Sequence, residues 1–382
     1  MLFRIAGKCK CSDPRDKVYA LMALLPQTLT AKIEPQYSLS VCEVFMQMML
    51  ASIANTQRLN LICFQGEKTS GQNLPSWVPN LAGIKAEYRK IPWATASGSS
   101  AAHSMFVHPN QLHVSGVSYT TIEAVHTEKW SDLASASRLA WQCWFGNKET
   151  EIYPTGEHTD EVYTWTLSCG RFRERWPQSV VVPTFTDARA IFQQLRDDHD
   201  VNEIDKHDSW LNEISHTLNG HQFFRCKEGY VGWGHEDAQV GDQVCIILGY
   251  QHPILLRPVQ NGLFKIIGRC YVHGVIDAQA VLGPLPRPWR VVLRRSTWFD
   301  GASSLVERYV NSETHEETPQ DPRLGELPET WEEIEKEDST GIGFMVQHYK
   351  NRETNETINS DPRLLPHALK ARGITLETFA LV

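Results

Sequence analysis

The chain has 382 residues, 41% of them apolar and 21% charged, with a net charge of −8 and an isoelectric point near 6.0. That is enough apolar material for two to four domains of the usual ~100–200 residues each, and the acidic balance excludes a basic footprint for nucleic acid or acidic membrane. No apolar run approaches the ~20 residues that span a bilayer, and the opening MLFRIAGKCKCSD has no signal-peptide core.

Nine cysteines at irregular spacings point to reduced thiols in a cytoplasmic protein rather than to a disulfide scaffold. Cys9 and Cys11 form the only close pair, and C-x-C without a second pair is poor zinc spacing. Neither a metal nor a cofactor is expected.

In chain order, Ser12-Asp13-Pro14-Arg15-Asp16 opens a helix, with Asp13 as N-cap and Pro14 at the first helical position. Val18, Leu21, Met22 and Leu25 form its apolar stripe, and Pro26 closes it. Ser40 and Glu43 have capping-box spacing and start a longer helix that buries Val44, Phe45, Met48 and Met49. Residues 59–64 read as a strand, and 74–79 (Leu-Pro-Ser-Trp-Val-Pro) as a rigid extended segment leading off the domain. The small, polar run 94–104 reads as a mobile loop or linker. Residues 111–117 alternate like a half-buried strand.

Helical patterns follow at 131–145, 160–172, 187–197 and 207–218, with Trp141, Trp144, Trp165 and Trp210 as their heavy core residues. From Gly229 to Leu282 the pattern becomes β, with strands expected at 230–233, 244–248, 254–257, 263–267 and 270–273. Gly241-Asp242 sets a turn, and Asn261-Gly262 between apolar runs is a strong hairpin signal. These runs are apolar on both faces, so the antiparallel meander must be covered on both sides or closed into a small barrel.

An internal repeat follows. Leu-Pro-x-x-Trp at 285–289 recurs at 327–331, and Asp-Pro-Arg-Leu at 321–324 recurs at 361–364. Tyr309 matches Tyr349 and Asn311 matches Asn351, which makes a tandem duplication of a unit of roughly 40 residues. The carboxylate-rich run 313–338 reads as a solvated face.

Both copies resemble WW domains in their Leu-Pro-x-x-Trp start, Tyr-x-Asn-x-x-Thr strand and Asp-Pro-Arg end. The second Trp of that family is replaced by Pro319 in one copy and Asn359 in the other. The resemblance therefore implies a WW-like fold without the usual polyproline ligand, leaving Tyr309 and Tyr349 as the candidate peptide contacts. Small β units capping the barrel are the simpler reading of the repeat.

Three separated stretches together resemble the fungal heterokaryon-incompatibility (HET) proteins. They are residues 12–21 with 37–41 and 74–79, the 229–282 segment, and the terminal Leu369-Lys370-Ala371-Arg372-Gly373-Ile374 with Phe379. The resemblance implies an α+β chain. Residues 1–93 would be the C-terminal part of a HET-like domain, 105–222 a mainly helical middle region, 223–283 an antiparallel β meander, 284–366 two tandem WW-like units and 367–382 a C-terminal tail. The family's N-terminal HET strands are absent, so a truncated gene product or a start other than Met1 is in question.

The implied function is allorecognition and cell-death signalling through contacts with other proteins, an incompatibility partner or a HET-type effector, without catalysis in this form. Kinship of HET with TIR domains leaves an NAD-cleaving effector as the alternative, and the WW-like units leave a proline-rich-peptide adaptor. No catalytic residue carries over. His273 with Asp277, and His235 near Glu236 and Asp237, have acid–base composition but read as ordinary hydrogen-bonded pairs.

Overall fold

The structure is a computed structural model that describes residues 11–63, 74–82, 93–146, 152–197, 208–297, 303–337 and 345–382. Its N-terminal part begins at Asp13-Pro14-Arg15, where Asp13 accepts both the Arg15 amide (2.9 Å) and the Arg15 guanidinium (2.6–3.1 Å). The helix expected to run on to Pro26 is instead two short turns, α1 Asp16–Tyr19 and a 3-10 turn Met22–Leu24, and a further turn, α2 Gln27–Thr30, follows Pro26. Leu25 is extended (φ −96°, ψ 153°), as the residue before a proline tends to be.

Helix α3, Val41–Thr56, starts at the expected capping box. Glu43 N donates to Ser40 Oγ (3.2 Å) and Ser40 N to Glu43 Oε2 (2.7 Å), and Val44, Phe45, Met48 and Met49 are buried.

The centre of the molecule is a closed antiparallel barrel in the order β2-β3-β4-β7-β6-β5 and back to β2. The strands are β2 Gln111–His126, β3 His221–Cys226, β4 Val231–His235, β5 Gln243–Ile247, β6 Ile254–Pro258 and β7 Leu263–Val272. Alternate residues serve different cores. Val244, Ile246 and Leu248 point into the barrel with Phe224, Leu255 and Val272, while Cys245 and Ile247 face outward onto the layer containing α3. Each fully buried aliphatic side chain of this kind contributes about 1.5–3 kcal/mol, which is why strands apolar on both faces must be covered on both.

Three expectations for this region change. β4 pairs with β7 and not with β5, so the strands are not a simple meander. The runs 263–267 and 270–273 are one strand whose first half pairs with β6 and whose end pairs with β4. A register shift at Leu255/Leu256 bends the pairing, as a bulge does. The closing strand β2 lies outside the 229–282 stretch altogether and continues past 117 to His126. The Asn261-Gly262 turn itself is as expected, with both residues at positive φ (63° and 70°).

Helices α4 Leu133–Trp144, α5 Thr159–Ser168, α6 Phe185–Asp197 and α7 Asp208–Leu218 cover one side of the barrel. Trp141, Trp144 and Trp210 are buried there, with Trp165 packed alongside. Three indole N–H groups are satisfied across elements, as burial favours: Trp144 donates to Gly232 O (3.1 Å), Trp210 to Arg171 O (3.1 Å) and, from the barrel, Trp233 to Thr166 O (3.0 Å).

Two short strands add to the barrel. β1 Ser104–Val107 pairs with β2, and β14 Glu377–Leu381, in the stretch read as a tail, pairs with β2 and β7. A short helix, α8 Gln279–Leu282, follows β7, and α9 Pro366–Ala371 precedes β14.

Three segments between these elements differ from the sequence reading. Residues 59–63 form turns rather than a strand, with Leu59 N donating to Gly249 O (2.9 Å). Phe64, the last residue of that expected strand, lies outside the described residues. The segment at 74–79 does not lead away, because Trp77 and Val78 are buried and Trp77 Nε1 donates to Asn110 O (2.8 Å). Burial of the indole outweighs the stiffness that Pro75 and Pro79 impose.

The third is the run 94–104, which is no linker. Ala94, Ala96, Ser97, Ser100 and Ala101 are buried. Thr95 N donates to Ile276 O (2.8 Å), Ala96 N to Gln251 O (2.8 Å) and Ala102 N to Gln57 O (2.8 Å). The residues are small because the backbones touch: a Cβ on Gly249 would lie 2.4 Å from Ala102 N.

Each repeat forms a separate three-stranded antiparallel sheet: β8 Trp289–Thr297, β9 Ser303–Asn311 and β10 Glu317–Thr318, then β11 Trp331–Glu337, β12 Met345–Asn351 and β13 Thr357–Ile358. The copies match in detail. Trp289 lies opposite Asn311 and Trp331 opposite Asn351. Each asparagine accepts two backbone N–H groups of the following turn at 2.9–3.1 Å. Leu324 and Leu364, the last residues of the two Asp-Pro-Arg-Leu motifs, pack with the barrel's interior cluster.

Candidate functional site

The Asp-Pro-Arg motifs explain how the repeats are held. Arg323 and Arg363 each fold back onto the aspartate two residues earlier, donating from the main-chain N, Nε and Nη2 to Asp321 (2.6–3.0 Å) and Asp361 (2.7–2.9 Å). The remaining guanidinium nitrogen of each reaches back to a glycine that precedes its unit. Arg323 Nη1 donates to Gly283 O (2.7 Å), and Arg363 Nη1 donates to Gly325 O. Arg15 uses the same fold-back on Asp13 and spans to Tyr37 O and Leu39 O at 2.6 and 2.7 Å. Proline between the two charges restricts the backbone, and the fork geometry of arginine does the rest.

Between the two sheets, the 95–100 segment and the barrel's 249–251 loop lies a cavity of about 470 Å³. Tyr309 and Tyr349, the two residues named from the sequence, both line it. Both are buried, at 7% and 9% exposure, so neither ring stands out on an open groove. Burial pushes the Tyr309 hydroxyl well above its ordinary pKa, reinforced by Glu307 and Asp321. Tyr349 is raised likewise by burial and by Asp361, to which its hydroxyl donates a long 3.4 Å bond. Both hydroxyls therefore stay protonated at neutral pH.

Glu307 also lines the cavity and escaped the sequence reading. A signal was present: residues i and i+2 of a strand share a face, so naming Tyr309 places Glu307 beside it. Glu307 Oε1 accepts from Thr95 Oγ1 (2.6 Å) and Trp93 Nε1 (3.0 Å). Burial, helped by the nearby Asp277 carboxylate, raises its pKa to about 7. Arg58, which also lines the cavity, is half-buried and has no carboxylate partner among the described residues. Its guanidinium donates to the oxygens of Gln57 (3.0 Å), Ser99 (3.4 Å) and Asn359 (2.8 and 3.2 Å).

Of the histidine candidates, His273 is separated from its expected partner, whereas His235 stays beside Asp237. His273 Nε2 meets Glu157 Oε2 at 2.7 Å, a residue the sequence reading did not weigh. Asp277 is held instead by Arg175, through two bonds of 2.6 and 2.8 Å. Burial works against the Glu157 charge, but the His273 contact and Thr155 bring its pKa down to about 2. His235 Nδ1 accepts from Asp237 N (3.2 Å) at the barrel rim. Neither histidine lines the cavity, whose lining is largely polar.

No group of His, Cys, Asp and Glu among the described residues is arranged to hold a metal, and no described helix is long and apolar enough to cross a membrane. Residues 184–283 match the family model of the Het-6 beta-barrel domain, a heterokaryon-incompatibility-related domain. The matched stretch contains α6, α7 and β3 to β7, but not the closing strand β2. Neither curated proteins nor solved structures give a match.

Proposed function

We propose that this chain acts in fungal heterokaryon incompatibility, as a cytoplasmic recognition protein that works through contacts with other proteins rather than by catalysis. The observation that carries this reading is the match of residues 184–283 to the Het-6 beta-barrel domain. The finer parts of the proposal are that residues 1–93 correspond to the C-terminal part of a HET domain and that 284–366 are two WW-like units. The three-stranded form of each repeat and the Trp–Asn pairs at the start of each sheet support the second of these.

In this reading the two repeat sheets meet an incompatibility partner or a HET-type effector, and Tyr309 and Tyr349 are the contact residues on their inner side. Engagement of the partner leads to cell death in fused cells.

The test is genetic. A fungal strain carrying the chain is fused with strains carrying sequence variants of it and with a deletion strain, and heterokaryon viability is scored. Inviable fusions confined to particular pairings are expected, and a Tyr309→Ala/Tyr349→Ala chain should relieve them. Viable heterokaryons in every pairing would overturn the reading.

A further inference from the structure

The duplicated sheets place two equivalent strands, β8 and β11, at an outer edge, and the chain treats the two edges differently. Trp289 opposite Asn311 and Trp331 opposite Asn351 put both sheets in the same register. Leu293 and Glu335, each four residues after its tryptophan, are therefore equivalent. In an antiparallel pair, alternate residues of an edge strand turn their N–H and C=O groups away from the neighbouring strand. Leu293 N points outward in this way and donates to Arg175 O at 2.6 Å. The first repeat's edge is thus met by backbone from another part of the chain, and Leu293 is fully buried.

In the second repeat, Trp331 N turns outward to Pro328 O (2.8 Å), so the N–H groups of Glu333 and Glu335 face outward as well. β12 is the only described strand that pairs with β11. Glu335 N meets no backbone acceptor among the described residues, and Glu335 is exposed where Leu293 is buried. The two strands also differ in charge. β8 reads WRVVLRRST, with three arginines and no acid, whereas β11 reads WEEIEKE, with four glutamates and one lysine. Glu329, Glu333 and Glu335 are exposed, and Glu332 is paired with Arg352 at 3.4 Å.

An open edge is a template for a further strand. The glutamates repel a second acidic edge, which opposes pairing between copies of β11, and they attract a basic strand.

We propose that the outer edge of β11 docks an extended, lysine- or arginine-rich segment of a partner protein, which adds to the second repeat as a fourth strand. Backbone hydrogen bonds to the edge supply affinity, and basic side chains at alternate positions of the added strand meet Glu333 and Glu335. This names a contact surface that the incompatibility reading does not, and its test is a binding measurement that stands whether or not fused cells die.

The experiment is fluorescence anisotropy of a labelled peptide alternating lysine and valine, titrated with the purified full chain. Saturable binding with Kd below ~1 mM is expected, weakening as salt is added. A peptide alternating glutamate and valine should not bind. The lysine–valine peptide with its backbone nitrogens methylated keeps its charge but cannot form the ladder. It should bind at least about tenfold more weakly, the scale of one or two lost hydrogen bonds.

Glu335→Pro removes an outward N–H without touching a ladder bond to β12, and should weaken binding by a similar factor. Glu335→Gln, which keeps the N–H, should weaken it less. Hydrogen exchange on the unaltered chain locates the site without either variant: the Glu333 and Glu335 amides should exchange more slowly with peptide bound. The proposal falls if the peptide does not bind saturably below ~1 mM, if the methylated peptide binds equally well, or if protection appears only elsewhere. A chain that dimerises through β11 and excludes the peptide overturns it too.

Discussion

Glu307, on the second strand of the first repeat, accepts a 2.6 Å hydrogen bond from Thr95 Oγ1, a residue 212 positions earlier. With Trp93 on the same oxygen, this contact ties the repeat to the segment that packs on the barrel. The carboxyl titrates near 7 in the fold because it is buried and faces Asp277. A folded pKa above the unfolded one means that the native state keeps its proton longer, so stability falls as pH rises from about 4.5 to about 7. Glu307→Gln, which mimics the protonated acid, should therefore stabilise the chain by about 1–3 kcal/mol at pH ~8 and by much less at pH ~5. Urea unfolding at the two pH values checks this, and an equal difference at both would remove Glu307 as the titrating group.

Arg175 and Asp277 link the helical layer to the loop that follows β7, with side chains 6% and 14% exposed. Arg323 Nη2 adds a bond to Asp277 O at 2.9 Å, and Leu293 N donates to Arg175 O at 2.6 Å. Removing one member leaves a buried charge unpaired, so Arg175→Met should destabilise by about 3–5 kcal/mol. The double change Arg175→Met/Asp277→Leu should recover much of that loss in denaturant midpoints. A double variant no better than the single one would contradict the pairing argument.

Gly262 sits at φ +70° with nothing within 4 Å of the position of a Cβ, whereas Gly249 sits at φ +80° with Ala102 N 2.4 Å away. Gly262→Val should therefore carry backbone strain alone, about 1–3 kcal/mol. Gly249→Ala should destabilise more, since the clash is with backbone that cannot swing aside. Thermal midpoints of the two variants rank them, and the reverse order would mean that the 95–102 segment yields easily.

His273 and Asp277 are committed to Glu157 and Arg175 respectively, so the His273–Asp277 pair weighed from the sequence does not form. Purified protein is expected to leave NAD intact over hours at neutral pH, measured against a heat-killed control. Consumption of NAD that disappears with His273→Gln would restore the enzyme alternative.

The chain has nine cysteines, and those described are all free thiols. Burial pushes Cys63 up to about 11 and Cys143, Cys169 and Cys226 up to about 12, which suppresses the reactive thiolate. Native protein should therefore label quickly at exposed Cys11 and slowly at these four, while unfolding without reductant should release nine reactive thiols. Recovery of far fewer would indicate disulfides.

Features governed by neighbouring residues were legible in the sequence. The Ser40–Glu43 capping box, the Asn261-Gly262 turn, the four helices of the middle region and the repeat were all readable, because capping, positive φ and periodicity act over a few positions. The barrel was half legible: runs apolar on both faces announced a covered or closed sheet, but not which strand closes it. β2 comes from more than 100 residues before β5, as in the pair Ser118–Cys245, and pairing over such distances leaves no local trace. The small-residue run 94–104 was misread because a flexible linker and a backbone packed tightly against a barrel favour the same small side chains.

The candidate site divides the same way. Sequence by itself determined the duplicated Tyr and Asp-Pro-Arg motifs, since a repeat is visible wherever it folds and a charged pair two residues apart closes on itself. Only the tertiary structure decided that Tyr309 and Tyr349 are buried and look into one cavity, that Glu307 and Ser97 join them, and that His273 pairs with Glu157 rather than Asp277. Those outcomes depend on which distant surfaces exclude water from each other. Burial then sets which buried polar groups must find partners and which carboxyl groups keep their protons.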